Sequence, residues 1–130
     1  MKTLIVEDDF TSRLFLQEIL KGYGSSHIAV NGKEAIEAVR MALDANEPYD
    51  LICLDVMMPE MDGNDALKEI RSLEKSKGTS LPKPARIIMT TSVTEKEKVL
   101  EAINAQCDYY LIKPLQKKIL IRELQRLKLI

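Results

Sequence analysis

Residues 50–63, DLICLDVMMPEMDG, decide how the chain folds. Leu51, Ile52, Cys53 and Leu54 are apolar at every position, so a strand built from them has no face for solvent. A strand of that kind belongs inside a parallel sheet whose two faces are covered by helices. The run ends on Asp55, and the turn-rich MMPEMDG (57–63) leads to a helix expected from Asn64 to about Lys75.

On either side, short apolar runs alternate with longer amphipathic ones. TLIV (3–6) is a first strand, followed by a helix over 11–21 with apolar residues at 14, 15, 16, 19 and 20, ended by Gly22 and Gly24. HIAV (27–30) is a second strand, and Asn31 with Glu34 is a capping-box-like start for a helix over about 32–44. The polar loop 76–84, with Pro82 and Pro84, precedes a fourth strand, RIIM (86–89). Thr94 and Glu97 open a helix to about Asn104, YYLI (109–112) is the fifth strand, and a last helix runs from about Leu115 to the end. Five strands alternating with five helices predict an α/β, doubly wound parallel sheet of flavodoxin-like (βα)5 type, strand order 2-1-3-4-5. Residues 1–130 read as a single domain, without repeat or linker.

Composition narrows the function classes. A net charge of −1 over 130 residues gives no basic field for nucleic acid. Cys53 and Cys107 lie in apolar stretches without CxxC spacing and read as buried thiols in a reducing compartment. MKTLIVEDD lacks the pattern of a signal peptide, and no apolar run approaches the roughly 20 residues that span a bilayer. The expectation is a soluble, cytoplasmic protein with neither nucleic acid nor membrane as partner.

Polar residues cluster at the strand ends. Glu7, Asp8 and Asp9 follow the first strand, Asp55 ends the third, Thr90, Thr91 and Ser92 follow the fourth, and Lys113 with Pro114 follows the fifth. Singly, each has a bland explanation as a helix N-cap or a solvated charge. In a parallel sheet, however, these ends share one edge, where open α/β folds bind ligands. Carboxylates about 4 Å apart repel by roughly 4 kcal/mol at an effective dielectric near 20. Lys113 offsets one charge, and a hard, oxygen-seeking Mg2+ suits the rest. Beside such an ion a carboxylate can attack phosphorus as a nucleophile.

LIVEDD with Arg13 downstream, LDVMMPEMDG, IIMTTS and DYYLIKPL stand in an order and approximate spacing that resembles the receiver domain of two-component response regulators, over essentially the whole chain. The resemblance extends to single-domain, chemotaxis-type receivers. It implies that Asp55 is the phosphoacceptor, with Asp8 a direct magnesium ligand, the Met57 backbone carbonyl a further one, and Glu7 holding the ion through water. It implies that Thr91 is the switch hydroxyl, Lys113 the partner of the phosphoryl group beside a cis bond to Pro114, and Tyr110 the aromatic whose rotamer follows Thr91. Met57 and Val93 occupy the positions that tune dephosphorylation in the family; neither side chain holds a water strongly, so a slow self-dephosphorylation is expected. The chain departs from the family in carrying Gln106 and Cys107 where Gly-Ala is common, and Thr90 where many members are apolar.

The implied function is phosphorelay signalling: a histidine kinase or histidine phosphotransfer protein donates the phosphoryl group. A downstream protein then docks on the face of the fourth helix, fifth strand and fifth helix. No DNA-binding or enzymatic output domain is expected, and catalysis is limited to the chain's own phosphorylation and dephosphorylation. An aspartate-nucleophile hydrolase of the haloacid-dehalogenase type would need Asp-x-Asp where this chain has Asp55-Val56-Met57. A binding-only flavodoxin-like scaffold would leave the acidic set without a task. His27 reads as a lone histidine, Met57, Met58 and Met61 as loop packing, and Ile121 and Leu129 as residues off the core face of the last helix, available to a partner.

Overall fold

Strand β3 (Leu51–Asp55) is buried at every position, as an all-apolar central strand must be. The computed structural model describes residues 1–77, 83–92 and 107–130. Around β3, the strands β1 (Thr3–Val6), β2 (Ser26–Ala29), β4 (Arg86–Thr91) and β5 (Tyr109–Ile112) pair in parallel in the order β2-β1-β3-β4-β5. The described helices are α1 (Phe10–Leu20), α2 (Gly32–Asp44), α3 (Gly63–Lys77) and the C-terminal helix α4 (Lys117–Arg126). The expected capping pair Thr94 and Glu97, the helix to Asn104, Val93 and Gln106 lie outside the described residues.

The two-residue period of the strands divides the core. Leu4, Val6, Ile52, Leu54, Ile87 and Met89 face α2 and α3, meeting Ala35, Val39, Leu67 and Ile70. Ile5, Leu51, Cys53, Ile88 and Leu111 face α1 and α4, meeting Leu16, Leu20, Leu120 and Leu124. The sheet is thus doubly wound, as expected.

Boundaries shift for local reasons. β2 ends one residue early because the Val30 N–H donates to Glu34 Oε1 (3.1 Å), while Asn31 Oδ1 accepts from Glu34 N (2.8 Å). The helix start takes the backbone donor that a longer strand would need. α1 starts one residue early on Asp9, whose carboxylate accepts from Ser12 N at 2.9 Å. It ends at Leu20 and passes through a 3-10 turn (Lys21–Tyr23) to Gly24, at φ 145°. β4 runs on through Thr90 and Thr91, which pair with Leu111 and Ile112 of β5. β-branched threonines suit a strand that has a partner to pair with.

The C-terminal helix stops at Arg126 rather than continuing to the end. Lys128 takes φ 61°, its N–H donates to Gln125 O (3.0 Å), and Leu129 N–H donates to Leu124 O (2.9 Å). This Schellman turn folds Leu129 back onto the core, and Ile121 packs there too, so the expectation of a free partner surface at these two residues is corrected.

α3 begins where Asp62 Oδ1 accepts from Asp65 N at 3.0 Å. One position on, Gly63 N–H donates to Val56 O at 2.7 Å, closing the loop after the acidic end of β3. A Cβ on Gly63 would overlap the Asp55 carbonyl oxygen and stand 2.8 Å from Val56 Cα. Gly63→Ala should therefore lower the unfolding free energy by about 1–3 kcal/mol. Urea denaturation measures it, and an unchanged midpoint would show that the loop yields without strain.

Candidate functional site

Strand ends bring the sequence-distant polar residues to one edge. Glu7, Asp8 and Asp55 each place a carboxylate oxygen within 4.8 Å of the others. Glu7 and Asp55 are buried (1% and 4% exposed), whereas Asp8 is exposed. Lys113 Nζ stands 2.8 Å from Glu7 Oε1 and 3.4 Å from Asp55 Oδ2. Its approach is set by the backbone: Lys113 N–H donates to Thr91 O at 2.7 Å, and the Lys113–Pro114 bond is cis. Arg13 reaches back from α1 to donate to the Glu7 carbonyl oxygen at 3.3 Å.

Burial governs the electrostatics. It pushes the Glu7 carboxyl up to about 7, against the pull of the Lys113 hydrogen bond and with the push of the Asp55 charge. Burial also raises Asp55, opposed by Lys113 and by other donors that include the Met57 N–H, 3.2 Å from Oδ1. For Lys113, burial works against the ammonium, but the hydrogen bond to Glu7 and the Asp55 charge outweigh it. Glu7 Oε2 is buried with no hydrogen-bond partner. An orphaned carboxylate oxygen, beside two further carboxylates and, among the described residues, the one ammonium of Lys113, fits a hard cation held partly through water.

Strand parity sorts the remaining residues. Asp55 pairs with Thr90 across β3 and β4, and both continue the sheet face that carries Cys53 and Ile88. Thr91 continues the other face, with Met89, and Tyr110 packs on that same side, half-buried. The Thr91 hydroxyl donates to Ser92 O at 3.3 Å. Thr90 is therefore the hydroxyl-bearing neighbour of Asp55, which the sequence pattern missed; only the strand register reveals it. Met57 is half-exposed (51%), Met58 is buried, and Met61 packs on Gly32 at the start of α2.

Two smaller expectations are corrected: Cys107, expected as a buried thiol, is only half-buried, because it stands just before β5 rather than inside the sheet. His27 is not alone: its Nδ1 lies 2.7 Å from the Tyr49 hydroxyl. Cys53 is buried, with its thiol pushed up to about 12 by burial and the Glu7 charge. Among the described residues no helix is long and apolar enough to cross a membrane.

The chain matches the response regulator receiver domain over residues 3–125. It is 32% identical over 127 residues to the chemotaxis protein CheY of Thermotoga maritima, covering 96% of this chain and 95% of that one. It resembles the solved receiver domain (a mutant) of histidine kinase CKI1 from Arabidopsis thaliana with a TM-score of 0.82 and 34% identity, over 96% of this chain and 89% of that one. The match spans only 12% of the whole kinase. A receiver domain of a sensor histidine kinase from Pseudomonas aeruginosa, solved with magnesium coordinated in its active site cleft, gives a TM-score of 0.77 at 26% identity, over 96% and 94% of the two chains. The fold, the strand-end acids and a match over nearly the full length together make this chain a member of the response regulator receiver domain family.

Proposed function

We propose that residues 1–130 form one receiver unit acting in the cytoplasm, in which Asp55 accepts a phosphoryl group from a histidine-phosphorylated kinase or phosphotransfer protein. The observation that carries the reading is the trio Glu7, Asp8 and Asp55, bridged by Lys113 and left with an orphaned oxygen on Glu7. Asp8, Asp55 and the Met57 carbonyl would hold Mg2+, with Glu7 reaching it through water; the ion supplies charge neutralisation for the incoming phosphoryl group.

The chain's own residues do the rest. An Asp55 oxygen bonds to phosphorus as the donor's P–N or P–O bond breaks, the leaving group taking the electron pair. The Met57 N–H fixes the orientation of the carboxylate, and Lys113 pairs with the transferred group. Thr91 turns its hydroxyl toward the new oxygens, and Tyr110, on the same sheet face, follows it. A downstream protein then reads the face of β5 and the C-terminal helix together with residues 94–104, which lie outside the described residues. The chain turns over no other substrate.

Intact mass after incubation with Mg2+ and acetyl phosphate tests this directly. The wild-type chain should gain one alkali-labile phosphoryl group, and Asp55→Asn, or omission of Mg2+, should abolish the gain. No gain in a folded wild-type chain would favour a scaffold that keeps the shape without the reaction.

The lifetime of the group follows from Met57, an apolar side chain beside the acceptor, and from Val93, outside the described residues. Met57→Asn supplies a group that can hold the attacking water and should speed loss of label by about three- to tenfold. Faster loss in the wild type than in the variant would oppose the assignment.

Metal and proton compete at the same carboxylates. The folded Glu7 carboxyl titrates at about 7 against an ordinary 4.5, so the metal-free folded chain holds a proton in that window that the unfolded chain lacks. The Glu7 contribution to metal-free stability therefore falls as pH rises from 4.5 to 7, and Mg2+, which needs the ionised form, offsets that loss above the window. The gain in thermal midpoint on adding Mg2+ should be larger at about pH 8 than at about pH 5.5; equal gains would contradict this.

A further inference from the structure

We propose that Thr90 is a positioning residue for this phosphoryl transfer, its hydroxyl holding the Lys113 ammonium over Asp55; the inference rests on Asp55 being the acceptor. Thr90 is 1% exposed, and its Oγ1 finds no hydrogen-bond partner. A buried hydroxyl without a partner opposes folding, and a threonine chosen only for packing is matched in shape by valine. The register pairs Thr90 with Asp55 on one side and Leu111 on the other. Lys113 lies two residues beyond Leu111, on the same sheet face.

To reach Glu7 on β1, the Lys113 side chain crosses over β4 and β3, the strands that carry Thr90 and Asp55. Its ammonium donates to Glu7 at 2.8 Å and forms only a longer ion pair with Asp55 at 3.4 Å, which leaves N–H capacity unused. Thr90, next to Asp55 in the register and without a hydrogen-bond partner of its own, brings a neutral hydroxyl to those strands, where a further carboxylate would add charge.

Transfer changes what Lys113 must do. When an Asp55 oxygen bonds to phosphorus and the P–O bond of acetyl phosphate breaks, acetate leaves with the electron pair. The charge of the Asp55 carboxylate is then replaced by the larger charge of the phosphoryl oxygens bonded to it, while Glu7 keeps its own, so the ammonium is drawn from Glu7 toward the phosphoryl group. A hydroxyl acceptor on the β4 side keeps it over the acceptor as its bond to Glu7 lengthens.

The test compares full-length wild type, Thr90→Val and Thr90→Ser with acetyl phosphate and Mg2+, reading the second-order rate constant by intact mass and the urea midpoint. The valine variant should lose about tenfold in rate, with a urea midpoint equal to or above wild type because the unpaired hydroxyl is gone. Serine, which keeps the hydroxyl, should restore the rate to within about threefold of wild type. An unchanged rate in the valine variant overturns the proposal, as does a rate lost together with the urea midpoint or a serine variant as slow as valine. A wild-type chain that takes no label overturns the Asp55 reading and this one with it; a labelled wild type matched by the valine variant overturns only this one.

Discussion

Two buried carboxylates share one ammonium at the carboxyl edge of the sheet, and the rest of the structure is arranged around that shortage of positive charge. Glu7 and Asp55 sit at the ends of adjacent strands, β1 and β3, so their separation is fixed by the sheet spacing. Both are nearly inaccessible, and Lys113, reaching over from β5, satisfies Glu7 well and Asp55 poorly. Removing two carboxylates from water is costly unless cations or donors meet them. The exposed Asp8 beside them adds charge without relieving any. An apolar sheet edge would have been more stable; the imbalance is what the proposed recruitment of a cation and a phosphoryl group would use.

The strand period divides this edge into two functional faces. Glu7, Asp55, Thr90 and Lys113 continue the side packed by α1 and the C-terminal helix. Thr91 and Tyr110 continue the side packed by α2 and α3. The proposed chemistry and the proposed readout thus occupy opposite faces of the same two strands, β4 and β5, joined by the hydrogen bond from Lys113 N–H to Thr91 O. A group that pulls on Lys113 pulls on the backbone that carries Thr91. That hydrogen bond links the strand end beside Asp55 to the residue on the opposite face.

Much of this was legible in the sequence because it depends on local pattern. The all-apolar Leu51–Leu54 run fixes a central strand, and the acids and Lys113 at strand ends then converge by topology alone. What escaped depends on partners distant in sequence or on single hydrogen bonds. Thr90 and Thr91 read as a loop until β5 supplied pairing, and which one neighbours Asp55 is a matter of register. Leu129 read as exposed because helical periodicity was extended past Arg126, where a left-handed Lys128 turns the chain back. His27 found Tyr49 across 22 residues, a contact no motif announces.

The opposite edge of the sheet shows by contrast where the molecule keeps its freedom. There Arg71 donates to Glu74 Oε1 and the Ala85 carbonyl, each at 2.7 Å, and to Asp108 Oδ2 at 3.1 Å. Asp108 also accepts from Ile87 N–H and Arg86, and Glu74 accepts from Ala85 N–H at 2.7 Å. These bonds tie α3 to the residues that open β4 and β5. A two-state element driven from 1:99 to 99:1 needs about 5.5 kcal/mol of differential interaction. That energy cannot come from contacts already satisfied, because they have little left to gain. It can come from the carboxyl edge, where a 3.4 Å ion pair, an orphaned Glu7 oxygen and an unpaired Thr90 hydroxyl remain to be improved. Arg71, Glu74 and Asp108 clamp one end of β4 and β5, while the end that carries Asp55 holds contacts that a phosphoryl group could improve.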